Sequence, residues 1–385
     1  MKIAVIAPSF VPSNAANSIQ VMKVCQALQQ AGAEVVLWVP AEKGQRIPGS
    51  VDWHKLQQFY GIKATFEINW VDENLKLKRY DFALKASLAA KRWGADVIYT
   101  WMVQSAIFAQ WLGLIPALEL HMMPTGKLGP FLLKSFVQSK RKKLLMPITD
   151  ALLNKLKRVH NMNFEKASTQ IAPMGSEPER YKYLKDSSNL RAELGLKDTL
   201  TIAYTGHLYE GRGMSLLMAL AERFPQVSFL WIGGREKDVK KWQEKIDYAG
   251  LENVTLTGFV ENAKLPNYQA AADVLLMPYS QHVGISGKGD TADICSPMKL
   301  FDYLSAGRAI VTSDLPVFHE VLNEDNAVFC PAEDVMSWEA ALKRLIDDDV
   351  YRKRLAESAK QDSYIYSWLS RAEKTIAHLE TIIKE

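Results

Sequence analysis

ICSPMKLFDYLSAGRAIVTSDLP, residues 294–316, sets a helix against a short buried strand and shows how each is bounded. Ser296-Pro297 reads as a helix start, Gly307 as its stop, and Ala309 to Thr312 as the strand. Such a helix has N-terminal amide groups free to hold an anion, with one acid, Asp302, in its second turn. Asp302 lies among Leu300, Phe301, Tyr303 and Leu304. Facing inward it needs a partner; on the wet side it makes the segment a plain amphipathic helix.

The same alternation extends in both directions. KIAVIAP opens the chain as a strand, Asn17 to Ala31 reads as a helix and Glu34 to Val39 as a strand. Strand, helix and strand follow at 96–101, 103–112 and 117–121, then short strands at 145–149 and 170–172 around a helix at 150–158. Proline and polar residues gather in PMGSEPERYKYLKDSS, 173–188, which reads as an interdomain linker. The pattern then restarts with strands at 200–205, 228–232, 254–257, 274–277, 309–312 and 327–329. Helices are expected between them at 213–223, 236–249, 264–272, 297–306 and 316–322, and beyond them at 335–347 and over most of 349–383. Repeated βαβ units with apolar strands predict two doubly wound α/β domains, each binding ligands beyond the carboxyl ends of its strands and together forming a deep cleft.

Composition agrees with that class. A chain of 385 residues, 48% hydrophobic and 23% charged, suits two soluble globular domains. Cys25, Cys295 and Cys330 are too few and too scattered for a disulfide framework or a zinc site, and predict a reducing, cytoplasmic setting. No export signal or transmembrane span is expected, because the uncharged stretch Thr100 to Leu118 is broken by Gln104, Gln110, Gly113 and Pro116. Charge is uneven: residues 1–190 hold 25 Lys/Arg against 14 Asp/Glu, and residues 191–385 hold 22 against 29. The basic excess concentrates in KLGPFLLKSFVQSKRKK, 127–143, where six cations mix with Phe131, Leu132, Leu133, Phe136 and Val137. That segment fits either an anionic membrane surface or a solvated helix over its own domain. No motif accompanies it that would favour nucleic acid.

The loop after the first strand, PSFVPSNAANS, lacks the dinucleotide G-x-G-x-x-G, which disfavours a nicotinamide dehydrogenase. Ala15 and Ala16, flanked by Asn14, Asn17 and Ser18, allow close backbone approach or simple capping of the next helix. In YTGHLYEGRG, Gly206 permits a tight turn and Arg212 precedes a helix start, where charge and free amides converge on a site for a diphosphate. The loop 280–296 offers His282, Lys288 and Asp290 as contacts, and His121 ends a strand where it could meet a reacting substrate or serve only structure. No His/Cys cluster or Asp-x-Asp at a strand end suggests a metal.

In this order the segments ELH, PMGSEPERY, YTGHLYEGRG, LTGFV, AAADVLLMPY and SPMKLFDYLSAGRAIVTSDLP resemble the retaining nucleotide-sugar glycosyltransferases of family 4, with the GT-B architecture, over nearly the whole chain. The resemblance implies an acceptor-binding domain, 1–175 with 365–385, and a donor-binding domain, 176–364. It implies donor contacts from Gly206, His207, Arg212, Cys295, Ser296, Pro297, Met298, Lys299 and Asp302, with Asp302 on the ribose. Arg212 and His121 would be catalytic, and Asn14, Ala15, Ala16, Asn17 and Ser18 an acceptor-side loop that completes the site on closure. Two departures stand out: His207 replaces a family cation, and Ile294 occupies the place of the first of two paired acids. Sugar contacts would then fall to the amides of 295–298 and the preceding loop. A transfer without metal or other cofactor is implied, from a nucleotide sugar to a glycan or lipid-linked acceptor. An epimerase or phosphorylase on the same fold, or a catalytically silent binding protein, are the rival readings.

Overall fold

The computed structural model describes residues 1–41, 51–126, 128–209, 211–281 and 292–385. The first strands and helices are β1 (Lys2–Ile6), α1 (Ala16–Gln30), β2 (Glu34–Pro40), α2 (Trp53–Tyr60), β3 (Glu67–Val71), α3 (Tyr80–Trp93), β4 (Val97–Thr100), α4 (Val103–Trp111), β5 (Ile115–Leu120), α5 (Leu128–Gln138), β6 (Leu144–Pro147) and α6 (Asp150–His160). After them come α7 (Ser187–Glu193), β7 (Thr201–Thr205), α8 (Met214–Arg223), β8 (Ser228–Ile232), α9 (Glu236–Tyr248), β9 (Val254–Leu256), α10 (Leu265–Ala271), β10 (Val274–Met277), α11 (Met298–Ala306), β11 (Ala309–Ser313), β12 (Val328–Cys330), α12 (Val335–Asp347), α13 (Asp349–Ser363) and α14 (Trp368–Lys384). Two units form: Met1–Pro173 with Trp368–Glu385, and Met174–Ser367.

Each unit is built on a six-stranded parallel sheet, ordered β3-β2-β1-β4-β5-β6 in the first and β12-β11-β10-β7-β8-β9 in the second. Counted from its own first strand, each sheet has the doubly wound order of a GT-B domain. The central strands are apolar because helices cover both faces: Ile3 to Ile6, Val97 to Tyr99 and Val274 to Met277 are essentially inaccessible. The order reverses between β1 and β4 and between β7 and β10, so the carboxyl ends of those four strands mark the crevice of each sheet. Local signals explain the helices. Thr149, Asp334 and Asp348 accept first-turn amides at the starts of α6, α12 and α13. Gly307 ends α11 with φ +57°.

Several expectations are revised. Residues 170–172 make no strand; Gln170 N and Ala172 N donate to the Leu145 and Pro147 carbonyls without extending the sheet. The expected helix at 316–322 is a short 3-10 turn, Pro316–Glu320. The helical stretch expected over most of 349–383 consists of α13 and α14, with the boundary between units falling at the gap. Among the described residues no helix is long and apolar enough to cross a membrane.

Candidate functional site

In the second unit the β7–α8 loop crosses the switch point, and glycine decides its path. Gly213 has φ +70°, and a Cβ there would lie 2.2 Å from the Pro278 carbonyl oxygen, so only glycine lets this loop rest on the residue after β10. Gly206 has φ +140°, and its Cβ would lie 2.7 Å from Lys299 Nζ. The absent side chain is the space the lysine fills. Strand ends thereby bring Tyr204, Tyr209, Tyr279, Arg212 and Lys299 together.

The two cations share one peculiarity. Lys299 Nζ is sealed from solvent, although part of its stem is exposed, and among the described residues no hydrogen-bond partner reaches it. It rests 4.0 Å above the Tyr204 ring and 5.4 Å from that of Tyr279. Burial, reinforced by the Arg212 charge, holds its ammonium well below the usual lysine range. Arg212 donates from Nη2 to the Tyr209 hydroxyl at 3.0 Å and lies over the Tyr279 ring at 4.6 Å, while its Nε is buried without a partner among the described residues. Burial opposes its charge, but the surrounding tyrosines Tyr279, Tyr204 and Tyr209 outweigh that and raise its pKa. Unpartnered buried donors of like charge, with no carboxylate among the described residues bonded to either, fit a polyanion. His207 adds little charge: it is exposed, stacks on Tyr209 at 5.2 Å, and partial desolvation followed by the charges of Arg212, Arg235 and Lys299 pushes its imidazole below the usual range. It is therefore neutral at pH 7.

The start of α11 adjoins this pair through Lys299, its second residue. Pro297 is the N-cap, no side chain caps the helix and no acid sits in the first turn, so its dipole is open to an anion. Pro297 has no N–H, so the amides expected of 295–298 reduce to three. Ser296 is buried and its Oγ accepts Met174 N at 3.2 Å, a structural duty. Cys295 Sγ points at the Ala292 carbonyl, 3.7 Å away. Asp302 is half-buried, and its charge acts on Arg180, Tyr181 and Tyr303. Ile294 is 2% exposed and packs inward, so the first acid position is part of the core here.

In the first unit the β1–α1 loop is held by side chains from several elements. Arg79 donates to the Pro8 carbonyl at 2.6 Å, Trp70 Nε1 to that of Val11 at 3.0 Å, and Ser13 N to the Tyr60 hydroxyl at 2.7 Å. Asn14, Ala15, Ala16 and Asn17 are exposed at the α1 start, where Ala15 is the N-cap and no side chain caps. Ser18 departs from the expected role: it is fully buried, bonded to the Phe10 carbonyl at 2.9 Å and the Tyr60 hydroxyl at 2.6 Å. His121 lies just past β5 with its side chain 26% exposed and Nε2 2.7 Å from Glu119 Oε1. Sequence reasoning passed over Glu119, although it is an acid in the middle of the apolar strand IPALEL and so demands a partner.

The basic stretch 127–143 divides. Arg141 donates to the Gln110 carbonyl at the end of α4, Lys142 to that of Ile383 at 2.9 Å near the end of α14, and Lys143 to that of Ser139 at 2.6 Å just past α5. Three successive cations therefore neutralise three helix C-termini. What remains outward is Lys134 and Lys140, beside Leu128 at 62% and Phe131 at 67% exposure. Lys127, His282, Lys288 and Asp290 lie outside the described residues. Among the described residues no cluster of three or more His, Cys, Asp or Glu side chains is placed to hold a metal ion.

Residues 199–348 match the family model of the glycosyl transferases group 1. The phosphatidyl-myo-inositol mannosyltransferase of Mycolicibacterium smegmatis is 30% identical over 188 residues, 47% of this chain and 45% of that protein. The alpha-galactosylglucosyldiacylglycerol synthase of Streptococcus pneumoniae is 26% identical over 200 residues, 49% of this chain and 50% of the other. The matches span about half the length of these curated relatives or less. Among solved structures, Anabaena HepE in complex with UDP superposes with a TM-score of 0.75 at 16% identity, covering 99% of this chain and 100% of that one. A glycosyltransferase from Rickettsia africae superposes with a TM-score of 0.76 at 10% identity, covering 100% and 99%.

Proposed function

We propose that the chain, which has the GT-B fold, is a retaining glycosyltransferase of family 4 that uses a nucleotide-diphosphate sugar and needs no metal or other cofactor. One observation carries the reading: Arg212 and Lys299 converge at the switch point of the second unit with unbonded, buried N–H groups beside an uncapped helix start. In the reaction the bond from the sugar's anomeric carbon to the diphosphate oxygen breaks, and a bond to an acceptor hydroxyl forms on the same face. The products are glycosylated acceptor, nucleoside diphosphate and a proton. Arg212, Lys299 and the α11 amides neutralise the charge growing on the leaving diphosphate. Asp302 is assigned to the ribose, Gly206 and His207 to the rim of the donor site, and the Met298 amide with its neighbours to the anion. In the first unit His121 and the exposed residues Asn14 to Asn17 are assigned to the acceptor side.

Thermal shift with nucleoside, nucleoside monophosphate and nucleoside diphosphate tests the carrying observation. A diphosphate at 100-fold its Kd stabilises by about 2.7 kcal/mol, and the monophosphate and nucleoside by progressively less. Equal shifts for all three would remove the diphosphate assignment.

Two relatives are named for lipid acceptors, and Leu128, Phe131, Lys134 and Lys140 give this chain an exposed apolar and basic surface on and just past α5. We assign it to an anionic membrane on the cytoplasmic side, with a lipid-linked glycan or glycolipid as acceptor in envelope or polysaccharide synthesis. Each cation near such a surface contributes about 1 kcal/mol, so Lys134→Glu weakens binding at least about fivefold. Flotation with neutral and with phosphatidylglycerol-containing vesicles measures this; equal recovery on both sinks the assignment.

A further inference from the structure

Glu119 is wholly buried, and its carboxylate is bonded on all sides. Oε1 accepts Gln20 Nε2 of α1 at 2.6 Å and His121 Nε2 at 2.7 Å. Oε2 accepts the Tyr99 hydroxyl of β4 and Arg371 Nη2 of α14 at 2.7 Å. Arg371 is itself fixed, donating from Nε to the Pro173 carbonyl at 2.8 Å, from Nη1 to the Tyr99 hydroxyl at 3.1 Å and from Nη2 to the Ala172 carbonyl at 3.2 Å. Burial opposes the Glu119 charge, but Arg371 and then His121 overcome it and hold the carboxyl below the usual range. Every partner but one is locked in the core. The exception is His121, whose ring reaches the carboxyl edge of the sheet.

We propose that Arg371, on the last helix, is a positioning residue for His121: by holding the Glu119 carboxylate it keeps the imidazole proton on Nε2 and presents Nδ1 outward. Glu119 is acceptor-only when ionised, so the ring nitrogen it faces must be the donor. Gln20 Nε2, though 3.1 Å from His121 Nε2, is committed to the carboxylate. Nδ1 has no bond partner among the described residues. A buried ion pair is at best near break-even for stability against an apolar pair of the same shape, so this cluster is a poor stabiliser and a good orienting device. The proposal rests on the reading of His121 as a substrate-facing group.

The test uses the full chain as wild type, Arg371→Met, Arg371→Lys and Tyr99→Phe, with the His121 imidazole assigned in 1H–15N spectra by its loss in His121→Gln. Wild type shows the Nε2–H tautomer. Arg371→Met removes the fixed cation that holds the carboxylate, so the ring proton divides between Nε2 and Nδ1 and the single Nε2–H signature is lost. Tyr99→Phe, which keeps the ring packing but removes one bond to the carboxylate, moves the same way by less, and Arg371→Lys stays near wild type. In turnover, Arg371→Met lowers kcat about tenfold or more at unchanged donor KM. An unaltered tautomer in Arg371→Met overturns the proposal; if that variant does not fold, an unaltered tautomer in Tyr99→Phe does so. An altered tautomer in Arg371→Met, in a protein that transfers no sugar, upholds the positioning and removes the transferase reading instead.

Discussion

Arg212→Ala is expected to lower sugar transfer by about 10²–10³-fold, the effect of deleting one preorganised charge at a developing anion. The folded protein should hardly notice. Arg212 bonds to the Tyr209 hydroxyl and lies over two tyrosine rings, and among the described residues no acid pairs with it, so its removal breaks no ion pair there and takes a like charge away from Lys299. Melting temperature should therefore move little while kcat collapses. Arg212→Lys separates charge from shape. An ammonium restores a point charge but not the planar fork over Tyr279, so a partial rescue is expected. Steady-state kinetics beside a melting curve decides the matter: unchanged kcat/KM in the alanine variant would show that the guanidinium faces no leaving group.

Lys299 gives the second large effect, read as protons rather than rate. Its amine loses its proton unusually easily in the empty site, first because it is buried and then because Arg212 is near. A bound diphosphate supplies the missing counter-charge and raises that pKa. Between the empty-site and bound values, binding therefore takes up about one proton, and affinity falls about tenfold for each unit of rising pH. Calorimetry in two buffers of different ionisation enthalpy reads the uptake directly. Lys299→Met should abolish the uptake and most of the affinity. It should also stabilise the empty protein: the unfolded lysine binds more protons than the native one across the window, so wild-type stability climbs with pH there, and the variant lacks that slope. Binding without proton exchange in wild type would show that the ammonium is already charged in the empty site.

The architecture was largely legible because its signals are local. Apolar strands of four to seven residues bounded by caps and glycines place β1, β7, β10, β11 and α11 within a residue or two. Residues 51–93 were not resolved into elements from sequence, since α2, β3 and α3 are partly exposed there and their periodicity is weak. Arg212 and the start of α11 were legible from the residues before a helix. The burial of Lys299 was not, because it depends on Gly206 leaving room for an ammonium 93 positions further along the chain. Nor was the Glu119–Arg371 pair, whose members lie 252 residues apart and meet only because α14 packs on α1. Ser18 misled for the opposite reason. A hydroxyl at a helix start looks available, whereas a tyrosine from α2 claims it.

The return of α14 to the first unit has a consequence for recombination between related genes. A crossover near residue 174 would exchange the second unit together with the last 18 residues, Trp368 to Glu385, and so deliver a foreign guanidinium, or none, to Glu119. The unit of exchange is therefore an internal cassette, 174–367, inserted between two parts of one host. Chimeras cut once should carry an uncompensated carboxylate in their core, and chimeras cut twice should not.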